Sequence, residues 1–341
     1  MAPPDSLAPH TTLRLGGPAD RLDRADTAAD VVDLFREADA AGEPVVLLGG
    51  GSNVVIADEG VRGRVVLLCG TGRSAVRGTD GTVLLTVEAG EDWDGVVAAA
   101  VADGLGGIEC LSGIPGRAGA TPVQNVGAYG TEIGDVLVDV DLYDRPGGTV
   151  RTVPAVALGL GYRTSVLRGR ADAIVLRVRL RLTADGLSAP VRYEELAGEL
   201  GVPTHTRVPV AAAREAVLAL RRRKGMVLDA DDHDTWSAGS FFTNPIVVAE
   251  AAPEGVRAWP AGPGRVKLSA AALIERAGFR RGHPGPGGRV ALSGKHVLAL
   301  TNRGGATTSD LLGLAREVRD GVRGRVGVEL VPEPVLVGCA W

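Results

Sequence analysis

At 341 residues the chain is long enough for two or three domains and a generous core. With 37 Lys and Arg against 41 Asp and Glu, its net charge of −4 argues against a basic surface for nucleic acid or membrane. No apolar run approaches the roughly 18 residues that span a bilayer. The N-terminus, Met1-Ala2-Pro3-Pro4-Asp5-Ser6, has neither the basic nor the apolar region of an export signal. Three cysteines and five histidines are scattered without metal-ligand spacing, the pattern of free thiols in a reducing cytoplasm and of no metal centre.

Leu13 to Ala19 reads as a short strand ending in a Gly-Gly-Pro turn. Thr27 can cap a helix whose apolar face is Val31, Val32, Leu34, Phe35 and Ala38 and which ends at Gly42. Pro44 to Leu48 is a buried-strand candidate, followed at once by Gly49-Gly50-Gly51-Ser52-Asn53. Glycines after a strand free backbone N–H groups to face an anion. The GxGxxG spacing and the Gly-Lys-Ser/Thr of a nucleotide loop are both missing, and Val54 to Asp58 continues as a strand, so a glycine-rich hairpin is the alternative. From Gly63 to Glu88 the pattern is strand, turn, strand, and Trp93, Val96, Val97, Ala100 and Val101 give a helix that Gly104 can end.

Residues 107–130 hold six glycines and two prolines in an otherwise apolar run. A helix or strand would not tolerate that glycine density and a loop would be more polar, so the backbone is expected to wrap a flat or extended ligand, with Gln124 and Asn125 supplying directional hydrogen bonds. Val136 to Tyr143, Thr149 to Val153 and Ile174 to Leu182 read as strands, the last alternating with Arg177, Arg179 and Arg181 as a solvated sheet face. Tyr162 and Arg163 stand together in a loop, where the guanidinium can fork onto a carboxylate, lie against a flavin edge or form a surface ion pair. Pro203 and Pro209 mark a linker before a helix over 210–224, whose Arg221-Arg222-Arg223-Lys224 end either compensates the helix dipole or makes a phosphate site.

In Ala238-Gly239-Ser240-Phe241-Phe242-Thr243-Asn244-Pro245, Gly239 is expected to allow close backbone approach. The two aromatics flank a strand, leaving the Ser240 hydroxyl at the mouth of an apolar slot. Ser269 caps a helix that stops at Gly278, Gly282 to Gly288 is a turn, Val297 to Thr301 a strand reaching Asn302, and Thr308 to Val322 the last helix. Glu329, Glu333 and Val335 to Val337 lie in the terminal strand region.

These segments together resemble the UDP-N-acetylenolpyruvoylglucosamine reductase family, type I, nearly end to end and in order. The carriers are LRLGGPA (13–19), LGGGSNVV (48–55), the 107–130 block, GYRTSV (161–166), AGSFFTNP (238–245), AALIERAG (271–278), HVLALTN (296–302) and LVPEPVLVG (330–338). The resemblance implies an α+β protein. A vanillyl-alcohol-oxidase-like, PCMH-type two-part FAD-binding domain spans 12–183, and a linker over 184–209 carries a substrate-closing tyrosine loop. A smaller α+β substrate domain spans 210–328, and a terminal strand, 329–341, brings Glu333 to the active site.

It further implies non-covalent FAD on Gly49, Gly50, Gly51, Ser52, Asn53, Ser112, Gly113, Ile114, Pro115, Gly116, Gly119, Ala120, Gln124, Asn125, Gly127, Ala128 and Tyr129. NADPH is the implied reductant and a nucleotide sugar the substrate, in a cytoplasmic monomer of peptidoglycan precursor synthesis. Arg163, Ser240 and Glu333 map onto the family's catalytic positions, and Tyr162, Tyr193, Lys224, Gly239 and Asn244 onto its substrate contacts. The chain departs from the family pattern at Thr11-Thr12, Arg117 and Pro334 and by about four extra residues between Lys224 and Ser240. Hydride is then expected to reach the enol-ether carbon while Arg163 and Glu333, or one of them protonated, stabilise charge on the enolpyruvyl carboxylate and Ser240 gives the proton. A flavin-dependent sugar or alcohol oxidase is the alternative, but no His lies in 11–204 to tether its flavin. A nucleotide-sugar sensor without catalysis is the other.

Overall fold

The computed structural model describes residues 5–341, so the four residues that open the export-signal reading lie outside the described residues. In chain order the first elements are β1 (Ala19–Ala25), α1 (Ala28–Ala41), β2 (Val45–Leu48), β3 (Val54–Ile56), β4 (Val61–Leu68), β5 (Arg73–Arg77), β6 (Thr82–Glu88) and α2 (Trp93–Ala102). The middle of the chain gives β7 (Gly127–Ala128), β8 (Thr131–Glu132), β9 (Leu137–Asp144), β10 (Thr149–Pro154), β11 (Ala173–Thr183), α3 (Glu194–Leu200) and α4 (Val210–Arg223). The last third gives β12 (Ile246–Val248), β13 (Ala258–Pro260), β14 (Arg265–Leu268), α5 (Ala270–Arg276), β15 (Val290–Leu292), β16 (Leu300–Asn302), α6 (Thr308–Val326) and β17 (Val335–Val337). They form two compact units: Ala19–Gly50 with Arg62–Arg223, and the chain up to Pro18 with Gly51–Val61 and Lys224–Trp341.

The first unit carries a five-stranded antiparallel sheet, order β10-β9-β11-β6-β5, and a three-stranded sheet, β1-β4-β2, in which β2 and β4 run parallel. Helix α1 forms where expected. Thr27 and Asp30 close a reciprocal capping box, and Gly42, at φ +62°, ends the helix in the left-handed conformation that glycine adopts at no steric cost. Its buried stripe of Val31, Val32 and Phe35 packs with Val66, Leu68, Tyr143, Ile174 and Leu176. The opposite face of β11 contributes Val178, Leu180 and Leu182 to a second core with Trp93, Val96 and Val97 of α2.

A β-bulge between Val175 and Arg177 separates the continuously buried run Ile174, Val175 and Leu176 from the part of β11 where buried apolar residues alternate with arginines. Those arginines are more than a solvated face. Arg177 pairs with Glu88 and Asp141, and Arg179 with Asp139 and Asp141, as a partly buried ladder across three strands. The edge strand β5 and helix α3 leave no periodic signal in the sequence. Every residue of β5 is exposed, and α3 is a helix of seven residues, too short for a clear apolar stripe.

The second unit is built on α5 and α6, the β15–β16 hairpin, the β12-β14-β13 sheet and the parallel pair β17–β3. Its core joins Leu13, Leu15, Val55, Phe241, Phe242, Leu268, Ile274, Leu292, Leu311, Leu314 and Leu330. Two expected strands are not strands. Leu13 and Leu15 do point inward, but Leu15 exchanges both backbone hydrogen bonds with the Thr11 hydroxyl and the Leu13 carbonyl accepts from Asn302, so no ladder forms. Around Ser240 the backbone divides between two neighbours: Phe241 N–H donates to Leu298 and Thr243 N–H to Val331.

Phe241 and Phe242 both enter one core, edge to face with ring centroids 5.1 Å apart, and do not flank a strand on opposite sides. Gly239 takes a φ of +71°, a conformation that favours glycine, and a Cβ there would meet no protein atom within 4 Å.

Candidate active site

In the first unit the two glycine segments meet backbone to backbone. A Cβ on Gly50 would lie 2.6 Å from the Cα of Gly116, and one on Gly119 would lie 2.5 Å from the Ala89 Cβ. Ser112, fully buried, donates from its hydroxyl to the Glu109 carbonyl at 2.6 Å, and Glu109 itself accepts the amides of Gly107 and Ala189. Gly113, at φ +70°, has its N–H taken by Asp94 of α2 at 2.6 Å. Ile114, Pro115 and Gly116 follow, partly buried, while Ala120 is exposed.

Gln124 and Asn125 are buried at the end of the block. The Asn125 side chain is spent on the protein: it donates to Glu132 and Gly161 and accepts from Gly134 N–H. Arg163 donates to the Gly127 carbonyl at 2.8 Å, its guanidinium carbon 5.4 Å from the centre of the Tyr162 ring. Gly127 has no room for a side chain, because a Cβ would fall 2.8 Å from Glu132 Cγ. After Ala128, Tyr129 meets Tyr193 edge to face at 6.0 Å, and burial pushes the Tyr129 phenol up to about 12. Asn125, Tyr129 and Arg163 are three of the five described non-glycine residues with positive φ. Backbone strain of that kind persists only where the surroundings over-determine it, and it concentrates at functional sites.

The chemistry of these loops fits an anionic, flat cofactor. Among the described residues, the amides of Gly49, Gly50, Ile114 and Gly116 donate to no protein acceptor, and neither do those of Gly51, Ser52 and Asn53. A run of uncommitted N–H groups on glycine-rich turns is what a pyrophosphate needs.

Two of the three arginines that end helix α4 have different partners. Arg221 donates to the Gly113 carbonyl at 3.3 Å, its charge disfavoured by burial, and Arg223 pairs with Glu199 of α3.

In the second unit Thr12 ties two site segments together: its N–H and hydroxyl reach the Gly51 carbonyl, and the hydroxyl also donates to Ser237 at 2.7 Å. Ser240 follows, half-buried, and the Glu333 N–H donates to the neighbouring Phe241 carbonyl at 2.9 Å. Val335 N–H donates to the Asn53 carbonyl, so the hydrogen bonds on both sides of Pro334 are intact and that proline's missing donor costs no pairing.

Lys224 precedes Gly225, which packs on the Asp234 carbonyl. Asp234 accepts Gly294 N–H and pairs with Arg303, while Asp232 pairs with Lys295, so the extra residues before Ser240 form a braced strap. Asn244 uses its side-chain carbonyl on Ala270 N–H at the start of α5. Asp94, Arg214 and Asp234 leave no mark in the sequence, because each acts on a partner distant in the chain and carries no local spacing signal.

Residues 19–154 match the family model for an FAD binding domain, which places the chain among FAD-containing oxidoreductases and accords with glycine turns at the ends of strands in an α+β fold. Residues 231–337 match the C-terminal domain of UDP-N-acetylenolpyruvoylglucosamine reductase. The chain is 62% identical to the reductase of that name from Saccharopolyspora erythraea, covering 98% of this chain and 95% of the relative. It is 55% identical to that of Nocardia farcinica, covering 97% and 88%. The solved UDP-N-acetylenolpyruvylglucosamine reductase from Thermus caldophilus is 27% identical, with a TM-score of 0.67 over 97% of both chains. The chain belongs to the UDP-N-acetylenolpyruvoylglucosamine reductase family. No described helix is long and apolar enough to cross a membrane.

Proposed function

We propose that this chain reduces the enol-ether double bond of UDP-N-acetyl-3-O-(1-carboxyvinyl)-glucosamine, giving UDP-N-acetylmuramate for peptidoglycan in the cytoplasm, with NADPH as reductant. The observation that carries this reading is the near-full-length likeness to reductases of that name. Residues 12–183 hold FAD without a covalent tether, 184–209 carry Tyr193, 210–328 take the nucleotide sugar and 329–341 supply Glu333. The protein acts as a monomer.

When bound, FAD supplies hydride that it has taken from NADPH. Lys224 holds the diphosphate, with Tyr162, Tyr193, Gly239 and Asn244 around the sugar nucleotide. Arg163, and Glu333 in its protonated form, stabilise the negative charge that gathers on the enolpyruvyl carboxylate, where a fixed cation and a hydrogen-bond donor outperform water. Ser240 gives its proton to the adjacent carbon; a serine hydroxyl is a weak acid, so the reaction draws on the high basicity of the enolate.

The backbone pairing of Phe241 with Glu333 supports assigning Ser240 and Glu333 to one reaction. The positive φ of Arg163 and its bond to Gly127 support a fixed guanidinium. The test is NADPH oxidation by purified protein with and without the enolpyruvyl nucleotide sugar, with the product's mass increased by two hydrogens. NADPH-independent oxygen consumption with sugars or alcohols, and no turnover of the enolpyruvyl substrate, overturns it.

A further inference from the structure

The second glycine segment is held from outside by a carboxylate that takes no part in the chemistry above. Asp94 lies in the first turn of α2, and one of its oxygens accepts both Gly113 N–H at 2.6 Å and Arg214 Nη1 at 2.7 Å. Its second oxygen accepts Arg214 Nη2 at 3.0 Å, a two-pronged pair with α4. The other end of the same residue is held too, since Arg221 donates to the Gly113 carbonyl. Gly113 thus has its N–H and its C=O fixed by charged side chains from two helices, in a left-handed conformation that sets the direction of the turn to Gly116. Gly116 is the residue whose backbone touches Gly50. Desolvation works against the Asp94 charge, but the Arg214 pair and the Gly113 amide outweigh it and keep the carboxyl below its ordinary range.

We propose that Asp94 is a positioning residue for FAD: by occupying the Gly113 N–H it fixes the 113–116 turn, so that the Ile114 and Gly116 amides are the donors presented to the cofactor and the Gly113 amide is not. The inference rests on the reading that residues 112–116 hold FAD. A plain brace between α2 and α4 would require only the Asp94–Arg214 pair, whereas positioning requires the Asp94–Gly113 bond.

The test is titration of apoprotein with FAD by flavin fluorescence, alongside the apo melting temperature. Asp94→Ala removes the acceptor and weakens FAD about tenfold, the scale of one charge-assisted hydrogen bond. Asp94→Asn keeps an acceptor for Gly113, and Arg214→Leu leaves Asp94 in place. Both hold the FAD dissociation constant within about threefold while lowering the melting temperature, the ordinary cost of losing a partly buried pair. Should Asp94→Ala fail to fold, Asp94→Glu keeps the pair with Arg214 but displaces the acceptor, and it weakens FAD at a near-normal melting temperature. Unchanged FAD affinity in both Asp94→Ala and Asp94→Glu overturns the proposal, as does Arg214→Leu weakening FAD as much as Asp94→Ala. Gly116→Val is run beside them: if it binds FAD normally, the assignment of the segment itself is wrong. If only Gly116→Val loses FAD, the segment stands and Asp94 is a brace.

Discussion

The Glu333 N–H donates to the Phe241 carbonyl at 2.9 Å, and Phe242 forms a bridge with Pro332 beside it, so the terminal segment is registered against the Ser240 loop by backbone alone. A side-chain substitution at Ser240 or Glu333 therefore leaves the register intact, which makes the pair suited to kinetic dissection.

Ser240→Ala separates the two half-reactions. Flavin reduction by NADPH needs no proton donor near the substrate carbon and proceeds at close to the normal rate. Reoxidation by the enolpyruvyl substrate slows by about 10²–10⁴-fold, the usual cost of a lost general acid. Stopped-flow absorbance of each half checks this; slowed reduction with normal reoxidation would shift the donor role to Glu333.

Gly50→Ala tests the first glycine segment. The added methyl would sit 2.6 Å from Gly116 Cα, a distance that backbone must yield to, so the two segments part and the protein purifies without its yellow flavin. Visible absorbance of the purified variant, with circular dichroism to show that it is folded, gives the answer. Full flavin content would mean that the segment does not carry the cofactor.

Lys224→Ala raises the KM for the nucleotide sugar. A charge-assisted hydrogen bond is worth roughly 1.5–3 kcal/mol, or about 10–150-fold. The rate of flavin reduction by NADPH stays near that of the parent. An unchanged KM would remove Lys224 from the diphosphate site.

Acid stability has a local contribution at α6. Arg289 grips Asp310 with two hydrogen bonds and the Thr307 amide adds another, holding the Asp310 carboxyl well below its ordinary range. A depressed folded-state pKa stabilises above the unfolded value of about 4 and is lost as pH falls through the folded one. Asp310→Asn should cost about 1 kcal/mol at pH 7, the scale of a lost helix cap, and progressively less below pH 4. Denaturant unfolding at pH 7 and pH 3 measures it. An equal loss at both pH values would assign the effect to packing.

The close packing of the two glycine segments was legible because glycine leaves a local mark. Gly113 and Gly116 lie at positive φ where side chains are strained, and Gly50 has no space for a methyl, so the glycine density of 48–53 and 107–130 signalled close backbone before any contact was known. The helix of Thr27 to Gly42 was equally plain, since both caps and the apolar stripe are written within a few residues of each other. The Leu13 and Phe241 segments misled for the opposite reason. Their alternation or aromatic content is real, but whether an extended segment is a strand depends on what its backbone groups pair with, here the Thr11 hydroxyl and the Asn302 side-chain amide in one case and the separate backbones of Leu298 and Val331 in the other.

The sequence by itself determined the caps, the glycine turns, the helix stripes and the residue pattern of the family, all of which depend on neighbours a few positions away. Tertiary structure alone decided that Asp94 closes on Gly113 and Arg214, that Asp234 braces the strap after Lys224, and that Glu333 lies in register with Phe241. Those bonds join residues 19 to 120 positions apart, and a hydrogen bond across such a span leaves no period or spacing in the chain: its direction is set only when packing brings donor and acceptor together.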